Sequence, residues 1–197
     1  MGRWEPNARG RLMEAALELY GERSFENTTV AEIAERAGLT ERTFFRHFAD
    51  KREVLFGGDR LDELLKSGVA SAPASDSPIE AAAAGLDAVA EILRDRRTFA
   101  RQRQKVIAAN PELKERELIK LASWATALTD ALRERAVGDT TALLAGEVAV
   151  AVFRIAFQRW LDGPDSRDLP ELIRESLDDL GALTAEDPRR AAAPNGR

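Results

Sequence analysis

The chain has no cysteine and a single histidine, His47. The first absence excludes disulfides and cysteine-ligated metals, and the second excludes any site built on several histidines. Strand signals are also missing, because no run of β-branched residues alternates with polar ones. The most apolar stretch, Thr141 to Trp160, is interrupted by Glu147, Arg154 and Arg159, so it reads as a buried helix and not as a membrane span. Met1 to Asn7 hold no apolar signal-peptide core. The expectation is a cytoplasmic protein with no membrane partner. There is no phosphate-cradling glycine loop, no metal-ligand spacing and no nucleophile set beside a base. The reading is therefore a protein that is not an enzyme and uses no cofactor. Carboxylates are plentiful, so a carboxylate-only hydrolase stays open as the remote alternative. Positive charge is lacking too. The net charge of −5 and the sequence pI of about 5.2 are the reverse of the usual nucleic-acid footprint. If this chain meets DNA, the placement of its charges must decide the matter and not their sum.

What is present is helix almost throughout. Leu12, Ala15, Ala16 and Leu19 form the buried stripe of a first helix, from Pro6 to Glu22. Thr28 or Thr29 caps a second helix, Val30 to Ala37. Gly38 comes next, where a left-handed residue is needed, Thr40 caps a third helix ending near His47, and Asp50 caps a fourth running to about Val69. Ser71 to Pro78 is a small, polar, proline-bearing linker. Helices are then expected over 79–94, 96–109, 111–136, 141–162 and 169–183. The class is all-α with about nine helices, and from residue 185 the polar, alanine-rich chain reads as a disordered tail.

The segment Thr28 to Lys51, TTVAEIAERAGLTERTFFRHFADK, places two short helices around Ala37-Gly38-Leu39-Thr40, which is a helix-turn-helix. The second of them is too short to stand alone. Phe44 and Phe48, at i and i+4, pin one face of it, leaving Arg42, Thr43, Phe45, Arg46 and His47 to project elsewhere. Arg42 suits a bidentate pair to guanine and Thr43 a base edge or thymine methyl. Thr29 and Thr40 sit at helix N-termini that favour phosphate, and Lys51 reaches a further phosphate. Arg3, Arg9 and Arg11 suggest a basic arm. Acids and bases nearly cancel over residues 1–56, but most of the acids lie on the first two helices, away from this face.

With Phe44-Phe45, His47, Phe48 and Lys51 in this order, residues 9–56 resemble the TetR family of bacterial regulators. The resemblance implies backbone contacts from Thr29, Thr40, Phe45, His47 and Lys51, and base reading by Arg42 and Thr43. The family often carries tyrosine where this chain has Phe45. A phenyl ring cannot hydrogen-bond a phosphate, and Arg46 next door compensates. The resemblance further implies a DNA-binding domain over 1–50, an effector-binding and dimerisation domain over 51–184, the tail over 185–197, and a repressor released from a pseudo-palindromic operator by an effector. An effector-independent or activating DNA-binding protein is the alternative. It predicts a filled C-terminal core, whereas the regulator predicts a cavity.

The stretch 141–162 is apolar nearly all round, so it must bury more than one side. Val150, Phe153 and Phe157 on it, with Leu172 and Leu177 on the last helix, are the expected homodimer interface. Ala145, Gly146, Ala149 and Ala156 would allow close approach. The effector pocket is expected among helices four to seven, lined by Phe99, Arg103, Val106, Trp124 and Leu128. Arg103 is a charge in an apolar stripe, and two readings stay open: an internal ion pair or snorkelling side chain, or a contact to an acidic group of the effector. Residues 101–135, with PELKERE after Pro111, resemble a branch of actinobacterial TetR regulators. Some members of that branch, including those linked to mycofactocin, respond to acyl-CoA thioesters. The resemblance implies a small apolar, acidic effector of that kind. Arg94, Arg97, Arg101 and Lys105 would then face its phosphates or form a solvated face.

Overall fold

Each short N-terminal helix begins at a side-chain cap. The computed structural model describes residues 7–56, 60–164 and 166–184. Helix α1, Ala8–Arg23, starts at Asn7, whose side chain accepts from Gly10 N at 3.1 Å. Helix α2, Val30–Arg36, starts in a reciprocal box. Thr29 Oγ1 accepts from Glu32 N, and Glu32 answers by accepting the Thr29 N–H at 2.9 Å. Helix α3, Glu41–His47, starts at Thr40, which accepts from Thr43 N at 3.2 Å. Gly38 adopts φ 65° between α2 and α3, and a Cβ there would stand 2.7 Å from the Arg11 guanidinium, so both conformation and space require glycine.

The expected fourth helix from Asp50 to Val69 is not continuous. The Asp50 carboxylate accepts from the N–H groups of Arg52 and Glu53 but caps no α-helix: the element that follows is a 3₁₀ turn, Glu53–Leu55, whose N-cap is Arg52. Helix α4 spans Arg60–Ser71. The 3₁₀ turn is folded into the N-terminal core: Val54, Leu55 and Phe56 are buried with Leu12, Ala16, Leu19, Ile33, Phe44 and Phe48. Val106, Ile107 and Leu113 reach into the same core from far along the chain. The expected tail, 185–197, and Arg3 lie outside the described residues.

The remaining helices are α5 (Pro78–Leu93), α6 (Arg97–Ala109), α7 (Pro111–Glu134), α8 (Asp139–Asp162) and α9 (Leu169–Thr184), making nine α-helices and no strand among the described residues. The expected linker is a tight corner. Ser77 and Glu80 form another capping box with Pro78 in the first turn, and α5 folds straight back on α4. At that crossing a Cβ on Gly68 would meet the backbone of Ala84 and Gly85 at 2.6–2.7 Å, so two glycines set the approach of the helices. Arginines from distant elements satisfy the carbonyls at two helix ends. Arg135 donates to Val69, Ala72 and Pro73 at the end of α4. Arg97 and Arg101 both donate to Gly163 at the end of α8. By length and apolarity α8 alone among the described residues matches a membrane span, and here it packs against α5, α7 and α9.

Candidate nucleic-acid interface and effector cavity

Packing sorts the side chains of α3. Phe44 and Phe48 are buried with ring centroids 5.6 Å apart, fixing the helix to the core. Arg42, Phe45 and Arg46 are exposed as a result, and Phe45 stands 56% open to solvent. Neither Arg42 nor Arg46 makes a hydrogen bond or ion pair among the described residues. Thr43 and His47 are half-buried, and the exposed Thr29 and Thr40 present helix starts whose hydroxyls serve as caps. His47 Nε2 is buried without a hydrogen-bond partner. Desolvation, and then the charges of Arg46 and Arg9, hold its pKa below the ordinary 6.5. The ring is therefore mainly neutral at pH 7 in the free protein. The arm arginines that are described are anchored to the helix-turn-helix: Arg9 lies 4.7 Å over the Phe48 ring, and Arg11 donates to the Ala37 carbonyl.

Lys51 is a correction. Its ammonium turns inward, donating to the carbonyls of Phe25 (2.9 Å), Thr28 (3.0 Å) and Glu26 (3.4 Å), 4.4 Å over the Phe25 ring. An ammonium has three protons, and all are taken. Its backbone carbonyl also accepts from the buried Tyr20 hydroxyl at 2.6 Å, so this residue ties the loop before α2 to α1 and the 3₁₀ turn.

Beneath α3 opens a cavity of about 1790 Å³. Phe99, Arg103 and Trp124 line it as expected. Val106 and Leu128 do not: Val106 belongs to the N-terminal core, and Leu128 is fully buried behind the wall. The pocket also departs from the expected set of helices, because α8 supplies a wall through Phe153 and Phe157, stacked at 5.5 Å, with Trp124 edge-on to Phe153 at 5.1 Å. Its inner surface is apolar, with Leu61, Val89, Leu93 and Leu121 beside those rings. Its charged lining comprises Arg9, Arg46, Arg96, Arg103, Lys120, Arg154 and Arg159 against one carboxylate, Glu117. Such a surface favours a ligand with an apolar body and a negative end.

Arg103 stands at the joint between the DNA-binding head and the helical body. Its Nε donates to the Leu55 carbonyl at 2.6 Å, its NH1 meets Glu117 at 3.2 Å, and its guanidinium lies 4.9 Å from the Phe56 ring centre. Burial pushes its pKa down, and Glu117 opposes that shift. The internal ion pair is thus present, on a side chain that also faces the cavity. Glu53 beside it pairs with Arg116, and with Lys120 at 3.8 Å, both on α7. Arg97 and Arg101 neither line the cavity nor form a solvated face; they cap α8.

The expected interface residues need correcting as well. Val150, Phe153 and Leu172 are buried within their own subunit, Leu177 packs on the same core, and Phe157 faces the cavity. Gly146 is spent on close approach to Ala125 and Thr129 of α7. The large apolar side chains that α8 exposes are Leu143, Leu144 and Ile155. A four-three-four spacing through Leu144 and Ile155 was present in the sequence, but the inward apolar residues of the same helix obscured it.

Residues 12–56 match the bacterial regulatory proteins of the tetR family, and residues 76–185 match the MftR C-terminal domain. MftR of Mycobacterium tuberculosis, a candidate mycofactocin biosynthesis transcriptional regulator, is 26% identical over 189 residues, which cover 92% of this chain and 93% of that protein. The HTH-type transcriptional regulator TcmR of Streptomyces glaucescens is 40% identical over 88 residues, covering 44% of this chain and only 39% of TcmR. Among solved structures, the repressor SmeT of Stenotrophomonas maltophilia, in its triclosan complex, superposes with a TM-score of 0.59 at 20% identity over 96% of each chain. Thermus thermophilus FadR, a repressor in complex with lauroyl-CoA, superposes with a TM-score of 0.52 at 25% identity over 95% of this chain and 100% of that one. With both halves matched and the helix-turn-helix built as described, this chain belongs to the TetR family of bacterial transcriptional regulators.

Proposed function

We propose that this protein is a cytoplasmic repressor that binds a pseudo-palindromic operator as a homodimer and is released by an apolar, anionic effector of the acyl-CoA type. The observation that carries this reading is the cavity: an apolar interior, a cationic lining, and Arg103 and Leu55 of the head–body joint in its wall. An architectural DNA binder would have a filled C-terminal core. The lauroyl-CoA complex of Thermus thermophilus FadR supports the ligand class. At the DNA, Arg42 and Thr43 read bases while Thr29, Thr40, Phe45, Arg46 and His47 position the backbone. In a dimer the two α3 helices must stand about 34–36 Å apart to enter successive major grooves.

The test is an operator gel shift on the protein's own promoter region with a panel of saturated acyl-CoA thioesters, free CoA and free fatty acids. Release by the thioesters at micromolar concentration is expected, with free CoA inactive because it brings no apolar chain. An operator complex indifferent to every member of the panel overturns the effector assignment, and failure to bind any promoter fragment overturns the repressor assignment.

A further inference from the structure

The cavity wall carries a polar cluster within its apolar part. On α7, Glu117, Leu121 and Trp124 share a face at i, i+4 and i+7, and on α6, Ala100, Arg103 and Gln104 share one at i, i+3 and i+4. All six line the cavity. Glu117 Oε1 accepts from Arg103 at 3.2 Å, and its Oε2 accepts from Gln104 Nε2 at 3.4 Å. The second bond fixes the amide, because a carboxylate oxygen must face its NH2 group. Gln104 Oε1 is thereby left buried with no hydrogen-bond partner. Glu117 also has capacity left over, since a carboxylate accepts about four hydrogen bonds and the two donors above use only half of that. The Arg103–Glu117 ion pair balances the formal charge of the cluster. What the cluster offers a ligand is therefore surplus acceptors and no net charge.

We propose that this cluster recognises a neutral hydrogen-bond donor on the effector, with Glu117 as the acceptor and Gln104 holding it in place. The proposal deepens the acyl-CoA reading and rests on it. In a ligand of that class the donor is a hydroxyl on the acyl chain or an amide N–H of the arm that bears the thioester. A ligand that fills the cavity drives solvent off these acceptors and must replace its hydrogen bonds or leave them unmet. A plain hydrocarbon chain at this position replaces none of them. The carboxylate of a free fatty acid brings a like charge to Glu117 and no proton to donate. A hydroxyl or an amide N–H donates to Glu117 and leaves its pair with Arg103 in place. The cations of the lining draw in anions of any kind, so selection among them falls to the one carboxylate, by what it repels as well as by what it accepts.

The test compares lauroyl-CoA with β-hydroxylauroyl-CoA and ω-hydroxylauroyl-CoA by calorimetry, on wild type, Glu117→Gln and Gln104→Met. The three thioesters share one arm, so the ratio of their affinities isolates a hydroxyl on the chain. If the chain carries the donor, wild type is expected to bind one hydroxylated thioester roughly ten- to hundredfold tighter than lauroyl-CoA, and both variants should bring that ratio toward one. If the arm carries it, wild type binds the three alike and each variant weakens all of them roughly tenfold. Gln104→Met separates recognition from folding. It keeps nearly the same volume and removes the orphaned oxygen, so its Tm should match or exceed that of wild type while recognition weakens. Variants that bind every thioester as wild type does overturn the proposal, and so does a hydroxyl preference that survives both substitutions. A loss of binding in Gln104→Met that comes with a lowered Tm overturns it too, because the cluster would then be structural. Wild type that binds none of the three thioesters overturns the acyl-CoA reading itself, whereas ordinary lauroyl-CoA binding that neither variant alters overturns the donor site alone.

Discussion

Two cations in the DNA-binding head, Arg42 and Lys51, have opposite surroundings. Arg42 is exposed with nothing held, whereas Lys51 holds three carbonyls of the loop before α2. Lys51→Ala is expected to cost about 1–3 kcal/mol of stability, because those carbonyls lose a charged donor in a half-buried place. Arg42→Ala should leave stability within about 0.5 kcal/mol. At the operator it should cost about 1–3 kcal/mol and relax specificity at one base pair. Urea unfolding and footprint titration separate the two. A Lys51→Ala protein as stable as wild type, with a salt dependence flatter by about one unit, would return that residue to a phosphate. His47 adds a pH dependence. Its folded pKa lies below the ordinary 6.5, so the unfolded chain takes the proton first. The contribution to stability is full above that value and is lost as pH falls through it toward the folded pKa. His47→Gln should remove this part of the slope below pH 6.5, as read from urea midpoints. An unchanged slope would mean that His47 does not titrate differently in the folded protein.

At the scale of elements, legibility tracks the range of the interaction that decides each feature. Caps and periodicity are local, so Thr29, Thr40, Gly38 and the buried pair Phe44 and Phe48 could be read in sequence, as could the ends of α7 and α8 to within two residues. The break after Asp50 could not. A caps-and-period argument accepts one helix from Asp50 onward, but Val54, Leu55 and Phe56 gain more by turning into the N-terminal core than by continuing a helix. Arg97 was equally opaque, because the carbonyls it serves lie 63–70 residues away and no local signal announces them. Helix α8 misled for another reason: a helix apolar on every side does not tell which side faces its own subunit. The Gly68–Gly85 crossing gives this scale its prediction. Gly68→Val puts side-chain atoms into the backbone of α5, and overpacking of that kind costs about 1–3 kcal/mol. The measured Tm should fall accordingly, while Gly21→Val, where a Cβ meets nothing within 4 Å, should leave Tm unchanged or slightly raised, because valine is a better helix former than glycine.

For the whole molecule the question is how a ligand in the body reaches the DNA-binding head. Helix α6 contributes Val106 and Ile107 to the head's core, Arg103 of the same helix holds Leu55, and Glu53 is gripped by Arg116 and Lys120 of α7. The head is therefore seated on α6 and α7 through the apolar contacts of Val106, Ile107 and Leu113 and through the polar links of Arg103 and Glu53, and Arg103 and Lys120 also face the cavity. An anionic ligand that draws either cation toward itself weakens the seat, since the same guanidinium or ammonium cannot serve both partners fully. Only a difference in affinity between the seated and unseated states moves the head, and about 1–3 kcal/mol suffices. Arg103→Lys keeps the charge but lacks the planar fork that meets Leu55 and Glu117 together. This variant is expected to fold and to bind the operator and lauroyl-CoA separately, while the factor by which each weakens the other falls toward one. The measurement is reciprocal: operator affinity with and without lauroyl-CoA, and lauroyl-CoA affinity with and without operator. Wild type must give the same factor in both directions. A variant with the wild-type factor would show that the signal bypasses Arg103, and one that loses ligand binding outright would make Arg103 a direct ligand contact and not part of the seat.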